Sequence, residues 1–167
     1  MKAKRVLHIF IVIIIGILFS GCSIKPMIET NTFGSMESRE RLLIASRDSE
    51  FKDKILADIL KEFEPRGLFI EVIDLENLSK KIGRNYQAIV LINEYRMFQV
   101  DNRVNEFVNG ISEEERSKIV LLTTAGNPKN VKDIPEVDAI SSASELVNSG
   151  TISEEIITRV NAILLRH

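Results

Sequence analysis

From residue 39 onward the chain alternates short apolar runs with segments whose apolar residues recur at helical spacing. The apolar runs are typical of strands buried on both faces, and the spaced residues are typical of one face of a helix. Strands are predicted over 41–45, 68–73, 86–92 and 117–123, with a short fifth over 137–140. Helices are predicted over 51–63, 75–82 and 100–111, and a last one begins at Thr151, which has capping-box spacing to Glu154. This alternation predicts a parallel sheet with helices on both faces.

The first twenty-two residues have the layout of a secretory signal. Three basic residues precede an apolar run over 9–19, and the small pair Ser20 and Gly21 leads to Cys22. The apolar run has eleven residues, whereas a stable transmembrane helix needs roughly 20. A cleaved export signal is therefore favoured over a permanent membrane span.

The segment 18–22, Leu-Phe-Ser-Gly-Cys, resembles the lipobox of bacterial lipoproteins. The resemblance implies cleavage before Cys22 and acylation of its thiol, so that lipid holds the mature protein on a membrane. The predicted organisation is a signal peptide over 1–21, a lipidated cysteine with a flexible tether over 22–38, and one domain over 39–167. The alternative is an uncleaved signal anchor in which Cys22 has no role.

Composition excludes several classes of function. The chain has one cysteine and two histidines, which cannot form an internal disulfide, a histidine-based triad or a His/Cys zinc site. Its net charge is −2, and loss of residues 1–21 leaves 19 basic and 24 acidic side chains, a net charge of −5. A nucleic-acid partner, which would need a basic surface, is not expected, and neither is a metal. The expected partners are a membrane, through lipid on Cys22, and a protein of the cell envelope.

The predicted sheet can take the order of a flavodoxin-like doubly wound fold, in which ligands bind beyond the carboxyl ends of the strands. The loops that follow the first, third and fourth predicted strands lie over 46–51, 93–98 and 123–126. With their strands, these loops resemble those of flavodoxins, and the resemblance covers nearly all of residues 40–165. The fold class is therefore predicted as α/β, a flavodoxin-like parallel sheet of four to five strands preceded by the signal helix and the tether.

The resemblance implies an FMN site built from these three loops. Details at Ser46–Asp48 and Tyr95–Arg96 are similar to flavodoxin-like protoporphyrinogen oxidases. The residues that the resemblance assigns to FMN are Ser46, Arg47 and Ser49 at the phosphate, and Asn93, Tyr95, Arg96, Thr123, Thr124, Ala125 and Gly126 around the ring.

The same loops depart from the flavodoxin pattern where chemistry allows little latitude. A phosphate loop needs glycine for close approach and hydroxyls as donors, whereas this chain has Ser49, Glu50 and Phe51 at those positions. Glu94 also stands where a small residue or proline is usual. If the flavin site is lost, Phe51 and Phe98 are expected to pack in the core.

The sequence therefore predicts an exported lipoprotein on a bacterial membrane, inner or outer, whose domain is an interaction module without a cofactor. No catalytic residue is assigned, because no acid and base pair and no nucleophile motif is present. The alternative is an FMN-binding electron carrier or a quinone-linked oxidoreductase at the membrane.

Overall fold

Six strands form one sheet in the computed structural model, which describes residues 29–132 and 134–166. The strands are β1 (Asn31–Phe33), β2 (Arg41–Ser46), β3 (Phe69–Asp74), β4 (Ala88–Glu94), β5 (Ile119–Thr124) and β6 (Asp138–Ser142). Their spatial order is β1-β3-β2-β4-β5-β6, and every neighbouring pair is parallel except β1 with β3. The five parallel strands have the 2-1-3-4-5 order of flavodoxin-like sheets, so the predicted fold class is confirmed.

The predicted signal peptide, Cys22 and residues 23–28 of the predicted tether lie outside the described residues. Among residues 29–132 and 134–166, no helix has the length and apolar character that crossing a membrane requires.

Helices cover the sheet on both faces. They are α1 (Glu50–Phe63), α2 (Asn102–Asn109), α3 (Glu113–Arg116) and α4 (Ser149–Leu164). One face of β2 contributes Leu42 and Ile44 to a core that α1 and α4 complete. Its other face contributes Leu43 and Ala45 to a second core that contains Val104 of α2. Burying a large aliphatic side chain stabilises the fold by about 1.5 to 3 kcal/mol, so two independent apolar layers hold β2 in place.

The edge strand β1 was not predicted, because its residues Asn31–Phe33 fall within the segment interpreted as a flexible tether. The prediction of a flexible tether is wrong for this part, since β1 pairs antiparallel with β3 in the register Asn31 to Val72 and Phe33 to Ile70. Gly34 ends the strand with φ of 76°, and a Cβ there would lie 2.0 Å from the carbonyl oxygen of Leu68. Only glycine fits this close turn, which brings the chain back toward β2.

Two other elements differ from those predicted, one in where it begins and one in its type. The last helix begins at Ser149 rather than Thr151, because a 3-10 turn over Leu146–Asn148 leads directly into it. The capping box lies instead at α3, where Ser112 and Glu115 cap each other. The predicted helix over 75–82 is a pair of short 3-10 turns, Leu75–Lys80 and Gly83–Asn85.

A polar cluster on β3 joins three segments beneath the second core. The Glu71 carboxylate accepts hydrogen bonds from Lys81 Nζ at 2.6 Å and from the Tyr86 hydroxyl at 2.5 Å. Burial alone would raise the pKa of Glu71, but these two donors outweigh it and leave that pKa below its ordinary value. Burial and the neighbouring carboxylate raise the pKa of the Tyr86 hydroxyl, so Tyr86 remains a donor.

The Glu71→Gln substitution is expected to lower the free energy of unfolding at neutral pH by about 1 to 2 kcal/mol, because both donors lose a charged acceptor. The stabilisation by Glu71 is complete above the pKa of Glu71 in the unfolded chain and is lost as the pH falls through the lower folded-state pKa. Urea denaturation across acid and neutral pH should therefore show a flatter pH dependence for the variant. The control Glu62→Gln, on the exposed face of α1, should change stability by less than about 0.5 kcal/mol. An unchanged acid profile in Glu71→Gln would contradict this account.

Candidate functional site

The parallel strands β2 to β6 all end at one edge of the sheet, here called the carboxyl edge. Two neighbouring cavities open there, of about 410 Å³ and about 740 Å³. Both are lined by Asp48, Lys52, Glu94 and Arg96. Since β2 and β4 are adjacent in the sheet, the topology brings the loop after β2 against the loop after β4. These two cavities, here called the grooves, lie among the loops from which the sequence predicts a site. Another cavity, of about 390 Å³, lies between the start of β6 and the end of α4.

The loop after β2 is short, and its hydroxyl groups are used within the fold. Ser46 is buried, and its hydroxyl donates to the backbone oxygen of Arg47 at 3.1 Å. The Ser49 hydroxyl caps α1 by accepting from the backbone N–H of Lys52 at 3.3 Å. Phe51 packs in the core beneath α1 and borders the larger cavity. Arg47 and Ser49 remain half-buried at the groove, whereas Ser46 does not face it.

Carboxylates gather at the start of α1, where an anion would otherwise be favoured. Glu50 and Asp53 occupy its first turn, and Asp48 precedes it. Burial raises the pKa of Asp53, and the hydrogen-bonded Asp48 carboxyl raises it further, while Lys52 opposes the shift. The positive end of this helix is therefore already surrounded by acidic groups of the chain itself.

The polar residues that end β4 and β5 bind each other, and one of them, Thr124, also lines the larger cavity. The buried Asn93 side chain donates to the backbone oxygen of Leu122 at 3.1 Å and to Thr123 Oγ1 at 2.9 Å. The Thr124 hydroxyl donates to the backbone oxygen of Asn93 at 3.1 Å. Thr123 and Thr124 are also buried. The fold thus brings these three predicted ring-binding residues together, and their hydrogen bonds link β4 to β5.

The loop after β4 folds back on itself as a two-residue hairpin. Arg96 and Gln99 exchange two backbone hydrogen bonds of 3.0 Å, and the Tyr95 hydroxyl donates to the Phe98 backbone oxygen at 2.8 Å. Arg96 also forms an ion pair with Glu94 at 2.9 Å. Arg96 thus lines both large cavities and Tyr95 a smaller one nearby, and both side chains have partners at this hairpin.

The tip of this hairpin, Met97 and Phe98, is strained and exposed. Both residues have a positive φ, 49° and 65°, and their side chains are 90 % and 85 % exposed. Hairpins with two positive φ values normally use Asn-Gly or similar pairs, because each residue with a Cβ costs about 1 to 2 kcal/mol there. The expectation that Phe98 packs in the core is wrong, since the hydrogen bonds of the turn hold it outward.

A third group at the groove is an ion-pair network that the sequence pattern did not reveal. Arg103 binds both carboxylate oxygens of Asp101, at 2.8 and 2.6 Å, and reaches Glu76 at 2.6 Å. The Arg103 hydrogen bonds hold the pKa of Asp101 below its ordinary value. Asp101 stands directly before α2, and its side chain caps that helix. This position was the one indication in the sequence that Asp101 has a structural role. The positive charge of Arg103 is therefore balanced by the Asp101 and Glu76 carboxylates.

The remaining predicted residues, Ala125 and Gly126, lie beyond β5. Ala125 is buried, and its N–H bonds to the Ser142 backbone oxygen at 3.0 Å. Together with Tyr95, Met97 and Phe98 they line a shallow cavity of about 210 Å³. The hairpin tip and the loop after β5 thus share one rim of the carboxyl edge.

Comparison with known proteins places the fold but assigns no family. No family model and no curated protein matches the chain. Among solved structures, a flavodiiron core from Synechocystis gives a TM-score of 0.56 at 10% identity, over 77% of this chain and 36% of that one. An oxidoreductase from Corynebacterium diphtheriae gives 0.52 at 12% identity, over 77% and 98%. A flavo-di-iron protein from Thermotoga maritima gives 0.51 at 9% identity, over 78% and 36%. With the strand order above, these likenesses establish a flavodoxin-like fold.

Replacing the hairpin tip with Met97→Asn and Phe98→Gly is expected to stabilise the protein by about 1 to 2 kcal/mol. The pair suits positive φ, and the exposed side chains that it removes make little packing contribution. Urea denaturation would measure the gain. The control Met36→Asn removes another exposed methionine at a residue without positive φ and should change stability by less than about 0.5 kcal/mol. A loss of stability in the tip variant would mean that Met97 or Phe98 is held by packing.

Proposed function

We propose that this chain is a bacterial lipoprotein, held on a membrane by acyl chains on Cys22, whose flavodoxin-like domain binds a partner at the cell envelope and does not use FMN. The anchor is supported by the lipobox resemblance and by the place of the only cysteine, directly after a signal of export type. The binding role is supported by the grooves at the carboxyl edge.

The observation that carries the proposal is the state of the α1 N-terminus. A flavin phosphate would need donors there, yet the Ser46 hydroxyl donates to the backbone oxygen of Arg47, and the Ser49 hydroxyl, which accepts from the backbone N–H of Lys52, is left as the hydroxyl donor of this loop. Asp48 and Glu50 line the grooves at this helix end, and Asp53 lies in the first turn of the helix. The cations that line the grooves are Arg47, Lys52, Arg96 and Arg103, and the last two are already paired with carboxylates of the chain. Two like charges about 4 Å apart repel by about 1 to 4 kcal/mol near a protein surface. The residues present therefore do not fit a phosphate group.

The ring side of the groove supports the same proposal. Asn93 and Thr123 are buried and bound to each other. Thr124 lines the larger groove, but its hydroxyl donates to the backbone oxygen of Asn93. Of the aromatic candidates, Phe98 projects into solvent and Tyr95 binds its own turn.

The FMN-carrier alternative rests on the loop resemblance and on a fold shared with an oxidoreductase and two flavodiiron proteins. At 9 to 12% identity those likenesses speak for the fold alone. The shared fold provides the same groove position, and the function depends on which side chains line it.

The detergent-solubilised chain is expected to be colourless, and FMN fluorescence should be unquenched when the protein is added. Riboflavin provides the matched comparison because it lacks the phosphate. FMN and riboflavin should bind equally poorly, since the phosphate finds no site. Release of FMN from the purified protein on denaturation, or FMN binding that is clearly tighter than riboflavin binding, would overturn the cofactor-free proposal.

For the anchor, Cys22→Ser is expected to abolish fatty-acid incorporation and to release the protein from the membrane fraction. The double variant Cys22→Ser with Ser23→Cys is the control, since it restores a thiol one residue away from the cleavage site and should remain unacylated. Metabolic labelling with a radioactive fatty acid and membrane fractionation measure both. Membrane retention of Cys22→Ser at the original level would identify the N-terminal segment as a signal anchor instead.

A further inference from the structure

The direction of β1 determines at which edge the chain enters the sheet. Because β1 is antiparallel to β3, its first residue, Asn31, pairs with Val72 near the end of β3, and its last residue, Phe33, pairs with Ile70. The chain that precedes Asn31 therefore approaches from the carboxyl edge, where the grooves lie. The opposite, amino edge is reached only after β1 has crossed part of the sheet.

The short distance in sequence between Cys22 and Asn31 limits how far this edge can lie from an anchor. Nine residue steps span at most about 30 Å when fully extended. A strand of six residues is about 20 Å long, so presenting the amino edge to the membrane would consume most of that reach. The strand β4 lies three strand spacings from β1, about 15 Å away. An anchor at Cys22 thus favours the carboxyl edge, including the hairpin after β4, as the side nearest the membrane.

The carboxyl edge also carries exposed apolar side chains in adjacent pairs. Met97 and Phe98 form the strained tip described above, and Leu146 and Val147 follow β6, with Val147 85 % exposed. Leu146 and Val147 line the larger cavity together with Arg96. Met97 and Phe98 follow Arg96 in the chain and line the shallow cavity at the same edge. The other exposed large apolar residues of the described chain, Met36, Ile82 and Leu165, occur singly. A turn that adopts an unfavourable backbone to hold Met and Phe in solvent suggests that these side chains meet an apolar partner.

Charge does not provide this contact. The mature chain would carry −5 and would be repelled by anionic lipid. Arg96, next to the tip, is already paired with Glu94. Contact with a bilayer must therefore come from apolar insertion, which is weak alone and becomes effective when a lipid anchor holds the protein at the surface.

We propose that the carboxyl edge faces the bilayer and that Met97 and Phe98 insert into its interfacial region, so that the grooves open toward the membrane. This orientation rests on the proposed lipidation of Cys22. It identifies the surface that the anchored domain presents to lipid and assigns a role to the strained hairpin.

Spin labels on the acylated full-length protein can test the orientation. Cys22 is the one cysteine of the sequence, and acylation blocks its thiol. Phe98→Cys or Leu165→Cys would therefore introduce a single free thiol for labelling. Both positions are similarly exposed, at 85 % and 88 %. Leu165 follows α4, whose residue Asn161 meets Arg66 beyond the C-terminus of α1, at the amino edge. Each variant is reconstituted into vesicles of phosphatidylethanolamine and phosphatidylglycerol, and mass spectrometry records the acylation of Cys22.

We expect a label at position 98 to be several-fold more accessible to membrane-dissolved oxygen than to a water-soluble nickel chelate. A label at position 165 should show the reverse preference. If Cys22 is acylated and the protein is vesicle-bound but the label at 98 is as aqueous as the label at 165, the orientation is overturned while the anchor stands. If mass spectrometry finds Cys22 unmodified, the anchor fails, and the orientation that depends on it is rejected with it.

Discussion

Burial of the central strand on both faces is the constraint on which the rest of this molecule depends. Every residue of β2 from Leu42 to Ser46 is buried, with alternate side chains in two separate cores. Such a strand needs helices above and below, and parallel neighbours need crossover connections to supply them. All the strand-to-helix loops must then fall at one edge. The position of the candidate site is thus a consequence of how the apolar residues are buried.

The same burial explains why the polar strand ends do not form a ligand site. At Ser46, Asn93 and Thr124 the sheet is still covered, so each polar group needs a partner inside the protein, and the nearest partners are backbone carbonyls and one another. Satisfying them internally stabilises the join between β4 and β5. The polarity that resembles a flavin loop in the sequence is therefore used to close the edge of the core.

The hairpin after β4 has residues that do not suit its backbone conformation. Elsewhere the local chemistry suits the backbone, as at Gly34 and at the Ser112 cap. At Met97 and Phe98 the chain retains two apolar residues in a conformation that Asn and Gly would adopt more cheaply. Strain of this kind persists where the surrounding hydrogen bonds impose it, here those of Arg96, Gln99 and Tyr95. The exposed tip lies on the side of the domain at which the chain enters β1, the carboxyl edge.

The sequence by itself determined the parallel strands, the two helical layers and the loops at which a groove forms, because burial leaves an apolar periodicity that can be read locally. It also located Cys22 as the candidate anchor. The tertiary structure decided what periodicity does not encode. The three residues of β1 carry no apolar pattern and become a strand only because the edge of β3 offers its backbone groups. Whether Asn93 faces a ligand or Thr123, and whether Phe98 is buried or exposed, depends on contacts between strands distant in sequence, which only the folded sheet brings together.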